Sequence, residues 1–156
     1  MIGPGDWTRS SSNLFLNIWK GMKYYTRGVT GYVDVHDLIT VMVFLMEKNT
    51  DCGRYIVSSE NLSYRDVFST VAGALGKKPP HRRAGRFLMH LAWRMDWLRS
   101  VVSSQKRVIS RETVRAGMAK RYFSSRKAAA ACNIRFKPVE RSIRETAKVF
   151  LKDHAF

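Results

Sequence analysis

Proton transfer by a tyrosine needs a neighbouring cation, so the spacing of the tyrosines bears on what chemistry this chain can do. A lysine four residues after a tyrosine lowers the pKa of the phenol toward neutrality. None of the six tyrosines has one, because the residues four positions later are Gly28, Val29, His36, Ser59, Phe68 and Arg126. Tyr122 with Arg126 has the charge but lies in a basic segment, and we interpret this pair as structural. The sequence therefore predicts no catalytic residue.

Nucleotide and metal binding also depend on residue spacing. A pyrophosphate cradle needs three closely spaced glycines directly after a strand, and the ten glycines include no such set. Cys52 and Cys132 supply neither a disulfide framework nor a cluster of metal ligands, which suits a reducing compartment. No metal site is predicted.

The elements that would position a site begin with a predicted strand, helix and strand over residues 31–58. The apolar residues of 32–35 indicate a short strand, and Asp37 is placed to cap the following helix. Residues 38–46 are almost wholly apolar, so we expect this helix to be buried on most of its circumference. Residues 54–58 indicate a second strand. A parallel sheet needs more strands than this chain supplies.

The order and spacing of several segments resemble the C-terminal half of extended short-chain dehydrogenase/reductases. The nearest branches are the NAD-dependent epimerase/dehydratase and dihydroflavonol-reductase-like enzymes. The segments are Ile2-Gly3-Pro4-Gly5-Asp6-Trp7, Gly31-Tyr32-Val33-Asp34-Val35-His36-Asp37-Leu38, Arg54-Tyr55-Ile56-Val57, Leu62-Ser63-Tyr64, Gly76-Lys77-Lys78-Pro79-Pro80 and Ser124-Ser125-Arg126-Lys127. The resemblance implies a helix-rich α/β fold, the C-terminal part of a Rossmann-type enzyme with a few short strands and about six helices.

The same resemblance implies that two functional parts lie elsewhere. In that family an N-terminal Gly-x-x-Gly-x-x-Gly turn holds NAD or NADP, and a Tyr-x-x-x-Lys pair does the chemistry. Both precede the segment that begins here at Met1, so the dinucleotide-binding half is expected to be missing. We expect a truncated gene product, a partial open reading frame or one piece of a split enzyme, inactive on its own, without tight binding of the cofactor. Its partners would be the N-terminal dehydrogenase half and a small-molecule substrate.

Roles for individual residues also follow from the resemblance. The residues implied at the cofactor are Ile2, Gly3 and Pro4, and those implied at the substrate are Trp7, Arg27, His36 and Trp93. Residue type leaves alternatives open for two of them. By residue type alone, Arg27 is better read as a solvent-facing turn residue, within a turn predicted over residues 27–31, and His36 as a histidine bonded locally.

Two segments are predicted to organise the chain: a remnant of the Rossmann-like core with the substrate loop over 1–76, and a basic helical substrate-binding subdomain over 77–156. Ser63 and Asp66 form an approximate capping box for a helix that ends at Gly76. The connector over 77–86 contains consecutive prolines and is expected to be extended. Helices are predicted for 86–102, from Ser110, from Ser125 to Asn133 and from Pro138 onward.

Charge is the strongest compositional feature. Up to Glu60 there are six Lys and Arg against six Asp and Glu, and after it 22 against six, so the later part carries the whole net charge of +16. A stand-alone basic module that binds nucleic acid or an anionic membrane surface is therefore the alternative function. No nucleic-acid-binding signature accompanies the charge, so no specific nucleic acid is expected, and membrane contact is the less favoured use of Trp93 and Trp97. With neither a signal peptide nor a long apolar span, we expect a cytoplasmic protein.

Overall fold

The structure, a computed structural model, describes residues 1–9, 11–48, 53–85 and 111–154, with only the backbone of 111–114. The described residues form a helix-rich mixed α/β fold with six helices and four short strands. In chain order these are α1 (Asn13–Trp19), β1 (Tyr24–Tyr25), β2 (Val29–Tyr32), α2 (Val35–Glu47), β3 (Glu60–Ser63), α3 (Tyr64–Ala74), β4 (Arg82–Arg83), α4 (Arg111–Met118), α5 (Arg126–Cys132) and α6 (Val139–Asp153). The helix predicted over 86–102 lies outside the described residues.

The hydrophobic core lies between α1, α3 and α6. These helices bury apolar residues at helical spacing, and the buried set consists of Phe15, Ile18, Val67, Val71, Val139, Ile143, Ala147 and Phe150. Ile2 joins the same core from the N-terminal turn. The C-terminal helix therefore packs directly against elements from the first 76 residues, as the spacing of its apolar residues requires.

The strands pair in two small sheets. β2 and β3 are antiparallel with Val29 opposite Ser63, and β1 and β4 are parallel. Isolated parallel bridges join Ile2 to Asp34 and Val29 to Lys120. The turn predicted for residues 27–31 is wrong over its second half, because Val29 already pairs with the segment around Lys120 and so belongs to β2.

Three predicted helix boundaries are confirmed because local chemistry determines them. The Ser63 hydroxyl accepts from the Asp66 amide and donates to the Asp66 carboxylate at 2.6 Å, which caps α3. α5 is followed by Asn133 at φ 47°, the left-handed conformation that asparagine tolerates better than most residues. α6 begins directly after Pro138, whose fixed φ suits a helix start.

The predicted cap of α2 is wrong. The carboxylate of Asp34, not of Asp37, accepts the free amide of His36 at 2.8 Å, and Val35 is already helical rather than part of a strand. Asp37 instead accepts the main-chain amide of Lys137 at 2.6 Å. The spacing of Asp34 and Asp37 matches that of a cap and its third helical residue, which is the signal that could have identified the helix start.

The prediction that α2 is buried around most of its circumference is also wrong. Val41 is its fully buried apolar residue, and the helix packs against α5 on one side only. The opposite side exposes four apolar side chains, which are Ile39, Met42, Val43 and Met46. They occur at i, i+3, i+4 and i+7, so they form one continuous stripe along the helix. We call them the α2 stripe.

The strand predicted over residues 54–58 is absent as well. These residues have no regular secondary structure, and Ile56 is 49% exposed. β2 is already paired with β3 along its length and is bridged to Lys120 at Val29. Strand-forming residues form a strand only where a partner pairs with them, and no strand of the described residues pairs with this segment.

Candidate functional site

The candidate site lies where the N-terminal turn meets the start of α2. The Ile2 amide donates to the Val33 carbonyl at 2.7 Å, and the Val35 amide donates to the Ile2 carbonyl at 2.8 Å. This pairing holds the turn against the first residue of the helix. A pocket opens on each side of the turn, and Gly3, Pro4 and Val35 line both.

Gly3 is required by a close approach rather than by an unusual backbone conformation. A Cβ atom built at this position would lie 2.4 Å from Cγ1 of Val35, far inside contact distance. The backbone of the turn is therefore bare at this point and in contact with α2. The missing side chain at Gly3 therefore makes room for Val35, which packs directly against the turn.

The pocket beside α6 is lined by charged and hydroxyl side chains as well as the turn. We call it the Lys137 cleft because Lys137, which is not itself a lining residue, pairs with the two lining carboxylates, Asp34 and Glu145. It encloses about 110 Å³. Its lining residues beyond the turn and Val35 are Asp34, His36, Ser142, Glu145, Thr146 and Val149. Drug-sized and cofactor ligands occupy roughly 300–1,000 Å³. The cleft by itself is therefore too small for a ligand of that size.

A chain of ion pairs joins the two helices that border this cleft. Nζ of Lys137 lies 3.3 Å from Asp34 and 2.9 Å from Glu145, and Arg141 pairs with Glu145 in turn. Asp34 is nearly buried, whereas Glu145 is half exposed. Lys137 therefore connects the start of α2 to the first turns of α6, across 103 positions of sequence from Asp34.

These contacts shift the pKa values of Asp34, Lys137 and Glu145. Burial acts to raise the pKa of Asp34, but hydrogen bonds from Ser142, the His36 amide and Lys137 outweigh it and hold the pKa below its usual value. The hydrogen bond to Glu145, helped by Asp34, raises the pKa of Lys137, and the same bond lowers the pKa of Glu145. All three groups are charged at neutral pH, so the cleft offers fixed charges rather than a group ready to exchange a proton.

Tyr32, which precedes the start of α2, has a buried side chain. Burial, with Tyr64 nearby as a second cause, raises the pKa of Tyr32 well above its usual value. A catalytic acid near pH 7 needs a lowered phenol pKa, so Tyr32 is unsuited to that role. Within the described ranges no group of three His, Cys, Asp or Glu side chains could hold a metal ion.

The structure brings three of the predicted site residues together. Gly3, Pro4 and His36 line the Lys137 cleft, and His36 is exposed at its edge. The side chain of Ile2 is buried in the core, so this residue supports the turn from beneath. Both of its main-chain groups are already paired, with the Val33 carbonyl and the Val35 amide.

Trp7 and Arg27 lie away from that cleft. The Trp7 indole packs edge-on against Phe15 and Phe150 and donates from Nε1 to Asp153 at 2.9 Å. Arg27 is exposed just before β2. Trp93 lies outside the described residues. Sequence reasoning missed Lys137 and Glu145, because no local pattern reveals which carboxylates a lysine a hundred residues away will meet.

Comparison with known proteins supports the fold but no activity. No protein-family model matches the chain, and no curated protein matches it. The crystal structure of gox2253 is similar to it with a TM-score of 0.71 and 21% sequence identity, covering 98% of this chain and 47% of that one. The chain thus spans about half the length of this solved relative, and at that identity the likeness shows a shared fold alone. Of the helices that the structure describes, none has the length and apolar character needed to cross a bilayer.

Proposed function

We propose that this chain is the substrate-binding part of an NAD(P)-dependent oxidoreductase or epimerase of the extended short-chain dehydrogenase/reductase type. Its role is to close one side of a cleft whose dinucleotide seat and proton-transfer pair belong to another part of the fold. That part resides on the same polypeptide or on a second one. The observation that carries the proposal is the α2 stripe.

The α2 stripe has the character of an internal packing surface. Met42 is 53% exposed and Met46 78% exposed, with Ile39 and Val43 beside them. Single exposed apolar residues are normal, but a continuous apolar row along two helical turns is the kind of surface that folded domains cover. The exposed Ile56 follows the same helix in the chain, within a strand-forming segment that pairs with no strand of the described residues. Both features are explained if a further sheet layer packs here.

The length relation with gox2253 supports the same proposal. This chain matches 47% of a chain of its own fold, which leaves more than half of that chain to supply other elements. The Ile2–Pro4 turn and the Lys137 cleft then lie at an edge rather than at the centre of the complete site. In the proposed complete fold, the Ile2–Pro4 turn faces the cofactor and His36 faces the substrate.

The deciding experiment compares Met42→Glu in two contexts. The first is the 156-residue chain alone, and the second is the chain joined to the dinucleotide-binding half that the proposal requires. Met42 is half exposed in the chain alone, so a glutamate costs no more than about 0.5 kcal/mol there. In the joined protein the same position is buried, and a glutamate costs about 2–4 kcal/mol.

Ser69→Glu is the matched control. Ser69 is an exposed position within α3, and the substitution introduces the same charge into a helix. It is expected to be nearly neutral in both contexts. Unfolding by denaturant measures the loss of stability caused by each of the two substitutions in each of the two contexts. A carbonyl-reduction assay with NADH and NADPH is carried out on the same proteins.

Two results overturn the proposal. One is an equal cost of Met42→Glu in both contexts, which means that nothing covers the α2 stripe. The other is reduction of a carbonyl compound by the 156-residue chain alone, because that requires the cofactor seat and proton donor to lie within it.

A further inference from the structure

We draw no further inference here: the strongest candidate, the groove of about 570 Å³ between α3 and α6 that is lined by Thr70, Gly73, Ala74, Glu140, Arg144 and Lys148, carries none, because Glu140 and Arg144 already pair with each other and nothing in the structure shows what covers it.

Discussion

Replacing Asp34 by asparagine tests how the start of α2 is held against α6. Asparagine has nearly the same volume and caps helices as well as aspartate, so it preserves the bond to the His36 amide while removing the charge. The lost interaction is the ion pair with Lys137 at 3.3 Å, with the aspartate side chain 5% exposed. Breaking an isolated buried pair costs about 3–5 kcal/mol, but Lys137 retains Glu145 and some solvent.

The expected cost of Asp34→Asn is therefore about 1–2 kcal/mol, in the range of hydrogen bonds to charged groups. For a chain of this size that lowers Tm by about 2–8 °C. Asp34→Ala also removes the cap and is expected to cost about 1 kcal/mol more. Asp37→Asn is the control, because its amide oxygen can still accept from the Lys137 main chain.

The difference in stability between wild type and Asp34→Asn is expected to shrink as the pH falls. The pKa of Asp34 is lower in the folded protein than in the unfolded chain, so its ionisation stabilises the fold fully above the unfolded pKa of about 3.9. The contribution is lost as the pH falls through the folded pKa. Urea unfolding at a series of pH values should show wild type and Asp34→Asn converging on acidification. A difference that stays constant down to about pH 3, or that is absent at neutral pH, refutes this account of Asp34.

Three further substitutions test the packing that supports the site. Gly3→Ala places a methyl group against Val35 and should destabilise the fold by about 1–3 kcal/mol. Gly73→Ala is the control, because nothing lies within 4 Å of the added methyl group there, and it should stabilise α3 by up to about 1 kcal/mol. Equal effects of the two substitutions on the free energy of unfolding in denaturant would contradict the close approach at the turn. Phe150→Ala removes a fully buried ring packed against Trp7 and should cost about 3–5 kcal/mol. The tryptophan fluorescence should shift to longer wavelength with it, and an unchanged spectrum and stability would show that this cluster does not hold α6 in place.

Local chemistry explains which elements were predictable. The cap of α3 at Ser63 and the end of α5 at Asn133 depend on residues within one turn of each other, and both predictions are confirmed. The choice between Asp34 and Asp37 as the cap of α2 was decided at longer range. The main-chain amide of Lys137 donates to the Asp37 carboxylate, and the Lys137 ammonium group pairs with the Asp34 carboxylate. Lys137 lies far from both residues in the sequence.

Apolar composition predicted that α2 forms a helix but not what covers it. Residues 38–46 are apolar in any context, whereas burial depends on which surfaces are present to pack against them. In the candidate site, the sequence predicted Gly3, Pro4 and His36 but not Glu145, because the contacts of Glu145 come from the tertiary structure. The roles assigned to these residues stay predictions.

The sequence by itself determined the start of α3, the end of α5, the apolar face of α6 and the concentration of positive charge after Glu60, because each depends on neighbours in the chain. Only the tertiary structure decided that the α2 stripe is exposed and that Asp34 and Lys137 pair. Those features depend on contacts between residues far apart in sequence, for which no spacing along the chain is a guide.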